Sequence, residues 1–216
     1  YFFLAHIIFI YKVNNMILVE PQYLPSVNYF NNILNGEILF DTNSDYINQY
    51  AFNHTRISND VKSFDIKVPI INYETGCKLK DIKIDNTKNW INSHTQSIQS
   101  SYGKYPYFLF YNDEIINVLK RRHNYLIDLN YDLLTHLLKI LNYDNKIRII
   151  EDDNSKIIDL RSRKIEFLNQ QANDINQIRD DFFLGKNFDY SYSVIDLLFL
   201  RGPESGFLIR NFNKKN

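Results

Sequence analysis

The chain has 216 residues, of which 44% are hydrophobic, 15% aromatic and 23% charged: enough apolar mass for one domain with a substantial core, and too aromatic for a disordered chain. Lysine plus arginine and aspartate plus glutamate stand at 25 each, so no global basic field exists to hold a phosphate backbone, and nucleic acid is not expected as a partner. The single cysteine, Cys77, excludes an intrachain disulfide and a thiolate zinc cluster, and a reducing cytoplasm is the expected compartment.

The opening run YFFLAHIIFIY is far shorter than the ~20 apolar residues a membrane-spanning helix needs, and lacks the basic flank and cleavage site of a signal peptide. Residues 1–15 are expected to be an upstream or non-native extension and residues 16–210 the domain, without stable membrane insertion; a membrane-associating tail is the competing expectation. From Met16 the run MILVE is β-prone, and LPSVNYFNNILNG follows with Val27, Phe30 and Leu34 near helical spacing and Gly36 as a stop. EILFDT reads as a second strand, which predicts a βαβ unit and a parallel pair. FNHTRIS and SFDIKVPII read as two further strands joined by NDVK, and KDIKI as a third, together forming an antiparallel extension.

NTKNWINSHTQSIQSSYG predicts a helix capped by Asn86 or Thr87 and ended by Gly103, with Pro106 barring continuation. YNDEIINVLKRRHNYLI predicts another, with Asp113 and Glu114 in its first turn and Lys120, Arg121 and Arg122 late, as the helix dipole favours. LNYDLLTHLLKILNY carries a core stripe of Leu133, Leu134, Leu137, Leu138 and Leu141. KIRIIED returns to a strand, the stretch from Lys156 to Lys186 is polar and poorly periodic, and SVIDLLFLRG is a last short helix stopped by Gly202 and Pro203. The resulting fold class is α/β: a single domain with a mixed β-sheet and flanking helices.

In VEPQYLPS, prolines flank Gln22 and Tyr23 at the carboxyl end of the first strand, the place where α/β sheets bind ligands. A rigid corner would hold both polar tips as a ligand wall; the alternative is a plain turn with Pro25 at the first helical position. The corner lacks the glycines of a dinucleotide or P-loop cradle. Trp90, His94, Ile98 and Tyr102 recur every fourth residue and form one helical stripe. On that face His94 is either a partly desolvated general base or a core histidine bonded to a backbone carbonyl. No histidine pair has metal-ligand spacing beside a carboxylate cluster, so neither metal nor cofactor is expected. Ser193 and Asp196 have the spacing of a capping box.

The blocks ILVEPQYLPSVNYFNNI, FNHTRI, FDIKVPI, NWINSHTQSIQSSYGKYPYF and SYSVIDLLFLRGPE, in that order, together resemble the WbqC-like family. ILVEPQYLPSVNYFNNI is similar to the family's Gln-Pro-x-Tyr-Leu-Pro-x-x-x-Tyr-Phe opening through Gln22, Tyr23, Leu24, Pro25, Tyr29 and Phe30, with Pro21 and Gln22 in inverted order. FNHTRI resembles its Asn-Arg-x-x-Ile segment, and FDIKVPI its Leu-x-Val-Pro strand. NWINSHTQSIQSSYGKYPYF resembles its Trp-x-x-x-His and Tyr block, and SYSVIDLLFLRGPE its ending, with Tyr192 in place of Leu. The blocks stay in register from Met16 to about Glu204.

This resemblance implies a cytoplasmic transferase of bacterial surface-polysaccharide (O-antigen) biosynthesis, with glycine, aminoacyl or acyl transfer to a sugar as its reaction. In that scheme the residues themselves offer His94 as the base and Arg56 as a fork for an anionic group of a nucleotide- or lipid-linked sugar, although a strand arginine is equally a solvated face. Gln22, Tyr23, Tyr29, Asn53, Trp90 and Tyr102 are then substrate-binding residues. The alternative is a non-catalytic carbohydrate- or partner-binding module of the same pathway. An enzyme needs His94 within reach of a pocket containing Gln22 and Tyr23, whereas a module needs an aromatic surface.

Overall fold

The computed structural model describes residues 16–34, 36–48, 51–58, 62–143, 147–149, 157–161 and 191–211. Residues 1–15 and most of the stretch from Lys156 to Lys186 lie outside the described residues. In chain order the elements are strand β1 (Met16–Val19), helix α1 (Val27–Ile33), and strands β2 (Glu37–Phe40), β3 (His54–Ser58) and β4 (Ser63–Lys67). A 3-10 turn at Leu79–Asp81 leads to helices α2 (Trp90–Tyr102), α3 (Phe108–Lys120) and α4 (Leu126–Ile140). Strands β5 (Ile147–Ile149) and β6 (Ile157–Asp159), helix α5 (Val194–Arg201), a 3-10 turn at Gly202–Glu204 and helix α6 (Ser205–Asn211) follow.

Strands β5, β2, β1 and β6 pair in that order, all in parallel, with Val19 opposite Phe40 and Leu18 opposite Asp159. MILV is apolar throughout because both faces of β1 are covered, as parallel sheets require. Ile17, Val19, Ile38 and Phe40 join the main core, while Met16, Leu18 and Leu39 cluster on the opposite face. The expected α/β domain is therefore present, with parallel and antiparallel pairing. The antiparallel pair β3 and β4 forms a sheet of its own and does not extend the parallel one.

Several local expectations change. KDIKI is not a third strand: its first half is spent in the 3-10 turn, where the Ile82 amide donates to the Leu79 carbonyl. Lys83 and Ile84 then bridge two different partners, Tyr125 and Ile70, so no ladder forms. The alternation survives as burial, with Ile82 and Ile84 inside and Lys83 exposed. Helix α2 follows Asn89, while Asn86 and Thr87 belong to the preceding turn. Helix α3 begins at Phe108, which packs on Phe199, so Asp113 and Glu114 fall in its second turn and core packing outweighs the dipole preference. Ser193 and Asp196 form no side-chain capping box, because the Ser193 hydroxyl donates to the Leu24 carbonyl.

The predicted leucine stripe of α4 is buried throughout. Among the described residues no helix is long and apolar enough to cross a membrane.

Candidate functional site

The corner between β1 and α1 is held from three sides. Ser26 caps α1 by accepting the Tyr29 amide at 3.2 Å, so Pro25 precedes the cap and is not the first helical residue. Leu24 has φ of +41°, a left-handed conformation that disfavours a side chain. Its carbonyl accepts from the hydroxyls of Thr55 (2.8 Å) and Ser193 (2.9 Å), which fix the strained residue to β3 and to the start of α5. From α4, the buried Asn130 amide donates to the carbonyls of Phe52 (2.8 Å) and Pro21 (3.4 Å), leaving its Oδ1 without a partner among the described residues. Gln22 sits half-buried on this scaffold and forms no hydrogen bond among the described residues.

Tyr23 turns inward from the same corner and is fully buried. Its hydroxyl lies 2.8 Å from His94 Nδ1, and His94 Nε2 lies 3.2 Å from the Lys67 carbonyl. A carbonyl can only accept, so Nε2 carries the proton and Nδ1 accepts from Tyr23. The ring is 4% exposed, and burial pushes its pKa down to about 4 against the smaller upward pull of the Lys67 carbonyl. Neutral His94, edge-on to Trp90, thus joins α2 to β4 and to the corner. The fold does bring His94 and Tyr23 together, with both ring nitrogens engaged inside the core.

The remaining expected residues occupy separate places. Tyr29 donates to the Glu20 carbonyl at 3.0 Å and pins the end of β1 to α1. Asn53, fully buried, accepts from Tyr46 and donates to the Val68 carbonyl. Arg56 faces solvent and pairs with Asp65 across β3 and β4 at 3.0 Å. The Trp90 indole reaches Asn86 at 3.4 Å. The Tyr102 hydroxyl accepts the Ser58 amide at 3.2 Å and bonds Asp196, which also accepts from the Ser58 hydroxyl at 3.0 Å. Burial, then Asp196, drive the Tyr102 pKa far up, so it stays a phenol.

A further group gathers where the parallel strands end. Glu20 and Asp41 follow the paired Val19 and Phe40 at the carboxyl ends of β1 and β2, and Asp159, paired with Leu18, ends β6 on the other side of β1. The Arg161 guanidinium forks onto Asp159, with Nε to Oδ1 and Nη2 to Oδ2 both at 3.0 Å, and its Nη1 reaches Asp41 Oδ2 at 3.0 Å. Asp41 also accepts from the Ser44 hydroxyl (2.6 Å) and the Asn43 amide (2.8 Å). Burial pushes its pKa up, but these bonds and Arg161 outweigh that and hold the carboxyl below its usual range. From β1 the chain crosses to β2 on one side, while β6 adds on the other. In open α/β sheets ligands bind outside the carboxyl ends of the strands at such a reversal of strand order. Among the described residues no group of three or more His, Cys, Asp or Glu is arranged to hold a metal ion.

Residues 20–175, well over half the chain, match the sequence profile of the WbqC-like protein family. The chain belongs to the WbqC-like family. No curated protein and no solved structure matches the chain. In this WbqC-like chain the matched region opens at Glu20 and contains the corner, His94 and the strand-end group, while Ser193 and Asp196 lie beyond it. The strand-end group escapes a motif search because its members are far apart in sequence. The available signal is that three short aliphatic runs, MILVE, EILFD and KIID, each end in an acid.

Proposed function

We propose that this WbqC-like protein is a transferase of bacterial surface-polysaccharide assembly that moves an acyl or aminoacyl group onto a sugar at the carboxyl edge of its parallel sheet. The reading rests on Arg161 of the β6 end bridging Asp159 and Asp41, with Glu20 at the end of the intervening strand β1 and the uncommitted amide of Gln22 two residues further on. Three carboxylates against one guanidinium give this edge a formal negative balance, which suits a substrate presenting hydroxyl and ammonium donors more than one presenting phosphates.

In this scheme Asp41 and Asp159 hold Arg161 at the strand ends, and Glu20, at the end of the strand between them, is the general base. A sugar hydroxyl or amine attacks the carbonyl carbon of an activated acyl donor while its proton passes to the Glu20 carboxylate. The new acyl bond forms, the bond to the donor's leaving group breaks, and the proton returns to that leaving group. Gln22 and the remaining Arg161 N–H groups position the sugar. His94 and Tyr23 act through the corner, as positioning residues.

The test is the mass of surface glycan from cells lacking the protein and complemented with variants. Glu20→Gln is expected to remove the acyl-bearing sugar while the purified variant keeps its melting temperature. The 2.8 Å bond between Tyr23 and His94 favours a second reading, with His94 as the base after the corner opens. That reading is distinguished by His94→Gln abolishing the product where Glu20→Gln does not. If neither changes the glycan, the sealed imidazole belongs to a non-catalytic binding module.

A further inference from the structure

Joined to the loop that carries Asp41 is a cavity of ≈ 410 Å³, lined by Ile71 to Cys77 and by Asp81, Ile82 and Lys83. Three backbone bonds sew its wall to that loop: the Tyr46 amide to the Cys77 carbonyl (2.8 Å), the Leu79 amide to Ser44 (3.0 Å) and the Lys80 amide to Thr42 (3.1 Å). The rim turns at Thr75 and Gly76, where the Cys77 amide donates to the Glu74 carbonyl and Gly76 takes φ of +85°, as the second central residue of a type II turn must. Tyr73 lines the cavity and is 39% exposed, yet its ring is braced edge-on at 4.7 Å by Tyr46. Tyr46 is itself buried and fixed by Asn53.

We propose that this groove is a pyranose-binding site in which the sugar ring lies on Tyr73. A pyranose offers an apolar C–H face to an aromatic ring and hydroxyl donors around its edge, and the groove answers with the Asn72 amide and the Glu74 and Asp81 carboxylates. Two carboxylates beside one lysine, Lys83, disfavour a phosphate and hence a nucleotide. A tyrosine braced before binding also loses little entropy on contact. The site deepens the transferase reading, and rests on it, in one respect: the shared Asp41 to Tyr46 loop makes the groove an outer subsite for an acceptor longer than one sugar.

The experiment titrates the full chain with methyl β-glycosides of glucose, galactose and N-acetylglucosamine, followed by saturation-transfer NMR. At least one is expected to bind with Kd of about 1–10 mM, and Tyr73→Ala to weaken it ~10-fold or more, while Tyr73→Phe keeps it. Glu74→Gln serves as a second variant that leaves the Tyr46 brace untouched, and it too is expected to weaken binding. Binding that is unchanged in both Tyr73→Ala and Glu74→Gln, or no binding of any of the three glycosides, overturns the proposal. The glycan-mass assay separates the two claims. If Glu20→Gln leaves the glycan unaltered while Tyr73→Ala loses the glycoside, the groove stands and the transferase reading falls; the reverse pattern removes the groove alone.

Discussion

His94 shows how one side chain can be read correctly for its neighbours and differently for its work. Fourfold spacing is enough to place it on a buried stripe with Trp90, Ile98 and Tyr102, all of which are 5% exposed or less. Its partner, Tyr23, lies 71 residues away, and no local pattern specifies that bond. The pair has a pH signature. Burial lowers the folded-state pKa from 6.5 to about 4, so as pH falls the unfolded chain takes up the proton first. The contribution is fully present above pH 6.5 and is lost as pH falls toward 4, to a total on the order of 3 kcal/mol at most. His94→Gln is expected to flatten the slope of stability against pH in that window, as measured by urea denaturation. Tyr23→Phe removes the donor to Nδ1 and leaves a buried acceptor unpaired, with an expected loss of about 1–3 kcal/mol. A variant that unfolds with the wild-type slope and midpoint would show that the pair contributes nothing to the corner.

Among the elements, those with a strong local signal are legible and those made by tertiary contact are not. MILV and the Ile38 to Phe40 part of β2 are continuous apolar runs, and α4 carries a full leucine stripe, so each is set by burial alone. Strand β6 has three residues in a polar stretch and exists because it pairs with β1, which propensity does not record. Helix α6 hides behind the Gly202 and Pro203 stop: the chain does break there, then resumes after one 3-10 turn. Gly202 itself has φ of +54°, and an added Cβ would collide with the Tyr107 ring. Gly202→Ala is therefore expected to lose ~2 kcal/mol or more through strain and overpacking, several degrees in melting temperature for a chain of this size. Adding Tyr107→Ala should restore the part caused by the clash, since contacting residues couple. Full additivity of the two losses would place the strain elsewhere.

For the molecule as a whole, zero formal charge conceals a polarised site. Acids that close three separate strands end up on adjacent strands once the sheet orders them, and Arg161 follows in the chain two residues after Asp159 to fork back onto it. The corner was visible in the sequence as prolines around Gln22 and Tyr23, whereas the strand-end group depends on strand order, which no motif encodes. Arg56, chosen from the sequence as a fork, forms an exposed pair with Asp65, and such pairs contribute ~0–1 kcal/mol. Arg56→Ala is accordingly expected to leave both stability and glycan mass within error. Asp159→Asn, which halves the fork on Arg161, is expected to reduce the acylated product while raising the sensitivity of the fold to denaturant only modestly.

The most direct test compares surface glycan mass in cells that carry wild-type protein, Glu20→Gln or His94→Gln in place of the native copy, each at equal protein abundance. A glycan lacking one acyl or aminoacyl group in the Glu20→Gln cells, with product retained in the His94→Gln cells in proportion to folded protein, is the expected result. An unaltered glycan in the Glu20→Gln cells would contradict the assignment of the reacting centre to the carboxyl edge of the parallel sheet.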